Sequence, residues 1–278
     1  MLLLALDTST RQSSIALCSE EELYGEYTWH VGNNHSVELL ENIRHLVTEC
    51  QMTLPQLDVV AVATGPGSFN GVRVALATAK ALTFVLHKTL VGVSTLDVIA
   101  AQQPWYGPVC AVLEAGRSEL YAACYQTCES IVGGTLHGRL RRVSPYLLET
   151  PQQLVARLRE QAHEWLGVAG ERQLLPFLFC GEIKPASRDV LQAAMQEQGL
   201  MCHFVTSVLA ARHASALAML ALQSLREGTL DDPLHLEPLY LRRPSITTST
   251  RKQPLLGDAS PHNTGQATTE RGEGALRH

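Results

Sequence analysis

The residues in this sequence best placed for chemistry form two short runs. Gly65-Pro66-Gly67-Ser68-Phe69-Asn70-Gly71 follows a β-branched strand and opens a helix. Backbone N–H groups at such a junction can cradle a phosphate. Asp7-Thr8-Ser9-Thr10 ends the first apolar run, and a carboxylate followed by small hydroxyls can hold a hydrated cation and a phosphate. Together they nominate a weak nucleotide site made of Asp7, Thr8, Ser9, Gly65, Gly67, Ser68 and Gly71. The glycine run lacks the G-K-[ST] of a P-loop, and its spacing does not match G-x-G-x-x-G. The competing reading is a tight turn with Ser68 as helix N-cap, beside an ordinary Asx-turn at Asp7. A facing wall would come from Glu114-Ala115-Gly116, which follows another apolar strand but offers no hydroxyl. A cleft with one good wall binds weakly.

Other catalytic signals are thin. His163-Glu164 begins an H-E-x-x-H only superficially, because position 167 is Gly. His30 and His35 are five apart, Cys124 and Cys128 have no neighbouring histidine, and no G-x-S-x-G elbow occurs. These spacings supply no nucleophile, base or metal cage, so neither a catalytic residue nor a metal ligand is expected.

The elements that must position these runs follow from hydrophobic period. Continuous or alternating apolar runs predict strands at 2–6, 14–18, 23–29, 58–63 and 90–93. Period 3.6 predicts helices at 36–50, 69–86 and 95–101. The pattern then restarts, with strands at 109–113, 119–125, somewhere in 130–140, and 177–180. Helices are expected at 152–161, 187–198 and 210–226. Strand-strand-strand-helix-strand-helix, twice, with an acidic residue after each first strand, is the plan of the actin/hexokinase/Hsp70-like (ASKHA) architecture. The expected division is an N-terminal lobe at 1–104, a smaller and degenerate C-terminal lobe at 105–244, and a Ser/Thr/Gly/Pro-rich disordered tail at 245–278.

The helix at 69–86 is apolar or small almost all round, with only Arg73 and Lys80 charged, seven residues apart on one face. A sheet covers one side of such a helix, so either the rest of its own domain covers the others, as for a central helix, or a partner does, which is the expectation here. The nominated interface is Val72, Arg73, Leu76, Ala79, Lys80, Leu82 and Thr83, joined by Leu39, Ile43 and Leu46 of the preceding helix.

Composition bounds the rest. The 278 residues are 45% hydrophobic and 18% charged, enough for a proper core and too apolar for a disordered chain. The 22 Lys+Arg against 27 Asp+Glu give −5, so any nucleic-acid role leans on a partner. Seven scattered cysteines without C-x-x-C fit free thiols in a reducing cytoplasm. The N-terminus lacks a basic region, and no apolar run is expected to reach membrane length.

Read together, Leu4-Ala5-Leu6-Asp7-Thr8-Ser9-Thr10, His35-Ser36 with Leu39-Leu40, Gly65-Pro66-Gly67-Ser68-Phe69 into Gly71-Val72-Arg73, Gly92-Val93-Ser94-Thr95-Leu96 and Glu119-Leu120-Tyr121 occur in one order. This set resembles the bacterial TsaB (YeaZ) family, relatives of TsaD (Gcp). The likeness is dense over 2–96, thins to 125, and returns at Pro238-Leu239-Tyr240-Leu241-Arg242. The resemblance implies a non-catalytic partner in forming N6-threonylcarbamoyladenosine at position 37 of tRNAs reading codons that begin with A. It implies a heterodimer with a TsaD-like protein, a TsaE-like ATPase joining the pair, and tRNA met through the complex. Alone, the chain would form a homodimer through the same face. It would carry no cofactor of its own, ATP and metal belonging to the partners, and no membrane. Family patterns differ at Asn70, Ala75, Ala81, Glu41 and Glu114-Ala115-Gly116. Two alternatives are an actin-like small-molecule kinase, which needs acid and hydroxyls in both halves, and a metallopeptidase-like protein, which needs metal ligands.

Overall fold

The computed structural model describes residues 1–31, 35–105, 107–132, 135–167 and 175–242. The expected tail at 245–278 lies outside them. The first of the chain's two compact units, Met1–Arg243, carries two sheets.

In the first sheet β1 (Leu3–Asp7), β2 (Gln12–Cys18), β3 (Leu23–His30), β4 (Val59–Ala63) and β5 (Thr89–Val93) lie in the order β3-β2-β1-β4-β5. β1 pairs antiparallel with β2 and parallel with β4, and β4 parallel with β5. β1 and β4 are buried on both faces, which is why they read as unbroken apolar runs rather than alternating ones. Leu4, Leu6, Val60 and Val62 face α1 (His35–Glu49) and α2 (Phe69–Leu86), while Leu3, Ala5, Val59 and Ala61 turn to the other side.

The second sheet repeats the plan. β6 (Val109–Gly116), β7 (Glu119–Val132), β8 (Thr135–Arg142), β10 (Phe177–Cys180) and β11 (Cys202–Phe204) are ordered β8-β7-β6-β10-β11, and β9 (Leu147–Glu149) adds to β7. Again the first strand pairs antiparallel with its hairpin partner and parallel with the next. α4 (Pro151–Gly167) and α5 (Pro185–Glu197) pack on this sheet's core around Phe177, Phe179, Leu154 and Leu191. Two sheets of one topology make this the expected ASKHA fold.

Besides the short strands β9 and β11, which the pattern did not announce, three features differ from the pattern-based reading. β7 runs on to Val132 and β8 begins at Thr135, so the uncertain third strand is the return of a long hairpin. α6 (Ala214–Arg226), which follows the second half in sequence, covers the free face of the first sheet through Leu217, Ala218, Ala221 and Leu222. Its period announces an apolar stripe but not the sheet that will bury it. Finally, α2 is 18 residues long with mean hydropathy 1.3, long and apolar enough by composition to cross a membrane, contrary to the expected absence of such a run. In the fold its Val72, Ala75, Leu76, Ala79 and Thr83 are buried. α3 (Thr95–Ala101), capped by Ser94, then leads to the second sheet.

Candidate functional site

β1 ends at Asp7 and β4 ends before Thr64-Gly65, so the parallel β1–β4 pair delivers both chemical runs to one edge. There they meet face to face. Ser68 N donates to the Ser9 carbonyl at 2.6 Å, and Thr8 Oγ1 donates to the Gly71 carbonyl at 2.6 Å. A Cβ on Gly67 would sit 2.1 Å from Ser9 O, and one on Gly71 would sit 2.0 Å from Thr8 O. The two glycines are required by this backbone-to-backbone approach. Ser68 Oγ accepts from Gly71 N at 3.3 Å and caps α2. The two runs thus come together at one sheet edge, backbone against backbone.

Asp7 is engaged within the chain. Its carboxylate accepts from Ser9 N (2.8 Å), from Ser9 Oγ (2.5 Å) and from Arg212 Nε (2.9 Å). Arg212 and Asp7 are each 1% exposed. The guanidinium also pairs with Glu182 and donates to the Gln12 carbonyl, and Thr10 Oγ1 donates to Glu182 at 2.6 Å. Burial pulls the Arg212 pKa down, but the two carboxylates outweigh it and hold the charge more firmly than usual. Arg212 and Glu182 escaped the sequence reading because neither stands in a motif.

Open space lies beside these walls. A cavity of about 700 Å³ runs between Thr10, Arg11, Gly67 and Ser68 on one side and Leu113, Glu114, Lys184, Arg188 and Phe204 on the other. Glu114 Oε1 accepts from Lys184 N at 3.0 Å. The Glu114-Ala115-Gly116 end of β6 is met by Arg242, which donates to the Ala115 carbonyl at 2.8 Å and pairs with Glu119. A second cavity, of about 600 Å³, is bordered by Asp97, Tyr125, Arg142 and Tyr146. Asp97 accepts from both phenols, at 2.6 and 2.7 Å. Burial, then this carboxylate, pushes the pKa of both tyrosines up.

The nominated partner face needs correction. Leu39, Ile43, Leu46, Val72, Leu76, Ala79 and Thr83 are all buried within the chain, most of them between α1, α2 and the first sheet. Leu82 is half-buried against the same core, and Lys80 is half-buried. Only Arg73 of that set is exposed. The outward stripe instead carries Val37 and Leu40 on α1, and Arg73, Ala77, Ala81, Phe84 and Val85 on α2. On a helix apolar all round, period cannot say which side the sheet takes.

Residues 29–250 match the family described as TsaD, tRNA N6-adenosine threonylcarbamoyltransferase. The chain is 28% identical over 202 residues to the tRNA threonylcarbamoyladenosine biosynthesis protein TsaB of Bacillus subtilis, covering 72% of this chain and 80% of that one. It is 28% identical over 246 residues to the protein of that name from Escherichia coli, covering 87% and 95%. Among solved structures it is similar to YeaZ from Pseudomonas aeruginosa, with 25% identity, a TM-score of 0.63, and 86% and 99% of the two chains covered.

Proposed function

The chain belongs to the TsaD family, with TsaB (YeaZ) proteins as relatives, and on that premise we propose that it is the non-catalytic partner of a TsaD-like transferase. The reaction it serves is formation of N6-threonylcarbamoyladenosine at position 37 of tRNAs reading codons that begin with A. One observation carries the non-catalytic part of this reading. Asp7, the carboxylate nominated to hold a cation, is instead held by Ser9 and the buried Arg212, and the facing Glu114-Ala115-Gly116 offers no hydroxyl. In this reading ATP and metal sit in the partners, a TsaD-like protein and a TsaE-like ATPase, and tRNA is met through the complex.

The docking face is the outward stripe of α1 and α2. Phe84 and Val85 are 75% and 71% exposed, next to exposed Ala77 and Ala81. A contiguous apolar surface of this kind marks an association site. Without a partner the chain self-associates there as a homodimer. A reducing cytoplasm suits six free cysteines among the described residues.

Reconstitution tests the proposal. A TsaD-like protein, a TsaE-like ATPase, a threonylcarbamoyl donor and tRNA should form the modified nucleoside only when this chain is added. Turnover by the isolated chain, or full activity of the other components without it, would end the reading.

A further inference from the structure

The strap Leu236–Arg242 returns from α6 across the mouth of the first sheet. Its Leu239 N donates to the Thr64 carbonyl at 2.8 Å, and Arg242 fastens the far end to the β6–β7 turn. Between these two fixings stands Tyr240. Its ring stacks on Phe69 with centroids 5.3 Å apart and 30° between planes. Arg73 lies on the same pair: its Cζ is 3.7 Å from the Phe69 centroid, and its Nε donates to Tyr240 Oη at 2.7 Å. Phe69 and Tyr240 are still 40% and 37% exposed.

Nε and one planar face of this guanidinium are therefore occupied, and among the described residues no hydrogen bond or ion pair engages its two terminal nitrogens. An arginine held flat by rings loses little freedom on binding, and its fork matches a carboxylate in two parallel hydrogen bonds. Arg73 also begins the outward stripe that continues through Ala77, Ala81, Phe84 and Val85, none of them acidic. Asp232 stands near Lys80, but its carboxylate already accepts from Leu234 N and meets His235.

We infer that Arg73, braced by Phe69 and Tyr240, is the polar anchor of the docking face, and that it receives an Asp or Glu carboxylate from a helix of the TsaD-like partner. This rests on the docking face proposed above and adds the chemistry of what meets it. A protein helix, rather than RNA, is the occupant because small and apolar side chains lead away from the arginine along α2. A ribose-phosphate backbone has nothing to place on Phe84.

The test measures affinity of the full chain for the TsaD-like protein, with folding of each variant checked by circular dichroism. Arg73→Glu should weaken binding by about 100-fold or more, through like charges at the contact. Arg73→Lys keeps the charge but loses the fork, and should weaken it by roughly 10-fold. Tyr240→Phe keeps the ring and removes the brace, with a loss of about threefold to tenfold. Changing one partner carboxylate to Arg should restore the Arg73→Glu variant. If Phe84→Asp abolishes binding while Arg73→Glu stays within twofold of wild type, the anchor is wrong and the face stands. If neither weakens binding, the face itself is wrong. If Arg73→Glu leaves protein affinity intact but lowers tRNA binding by the complex, the guanidinium serves RNA and the inference is overturned.

Discussion

Replacing Arg212 by methionine keeps most of its volume and removes one half of a buried ion pair. Asp7 and Arg212 are each 1% exposed and 2.9 Å apart. Stranding one charge of such a pair costs about 3–5 kcal/mol. Asp7 retains the N–H and hydroxyl of Ser9, which places the expected loss near the lower end, about 3 kcal/mol. For a unit of this size each kcal/mol lowers Tm by roughly 2–4 °C, so a fall of about 6–12 °C is expected. Asp7→Asn should be costly in its own right, because it leaves the guanidinium underpaired. The double variant should be more stable than the sum of the two losses predicts, by about 1–3 kcal/mol, since it strands neither charge. Urea unfolding of the four proteins at constant ionic strength gives the cycle. If Arg212→Met lies within about 1 kcal/mol of wild type, or if the two losses simply add, Asp7 is not held by Arg212 as described here.

The closeness of the two loops predicts that Gly67→Ala and Gly71→Ala each lower the unfolding free energy by about 1–3 kcal/mol or more, because a Cβ would meet backbone oxygen rather than a movable side chain. Urea midpoints check this, and unchanged midpoints would show that the loops stand apart. Ala79→Glu, which buries a charge in the core of α2, should fail to fold, whereas Phe84→Asp should fold with a normal circular dichroism spectrum and lose the TsaD-like partner in co-purification. Alkaline pH should destabilise the fold. Burial raises the pKa of Cys180 and, with Asp97, those of Tyr125 and Tyr146, so the native state keeps protons that the unfolded chain releases. Stability is then fully present below the unfolded thiol value near 8.5 and falls above it, each deeply buried group adding about 1.4 kcal/mol per pH unit once its unfolded counterpart ionises. Unfolding titrations from pH 8 to 11 should show this decline, with Tyr125→Phe flattening its upper part. Stability that rises over that range contradicts the sign.

Much of the fold was legible in the sequence because its signals are local. The unbroken apolar strands β1, β4, β6 and β10, the Ser68 cap, the helix Phe69–Leu86 and the repeated element order each depend on residues a few positions apart. Glycine and hydroxyl spacing likewise marked both loops, which the parallel β1–β4 pair brings to one sheet edge. What local signals could not reveal was occupancy. A carboxylate free to hold a cation is indistinguishable in sequence from one already paired, and only the approach of Arg212 to Asp7 separates these cases. Tertiary structure also chose Arg212 as the partner of Asp7, 205 positions away, laid Tyr240 on Arg73 across 167, and put α6 on the first sheet. It decided which side of α2 became core and left Phe84 outside. An apolar stripe states that a face will be buried, but its burial partner is set by how the whole chain is routed. No periodicity within a single helix contains that routing.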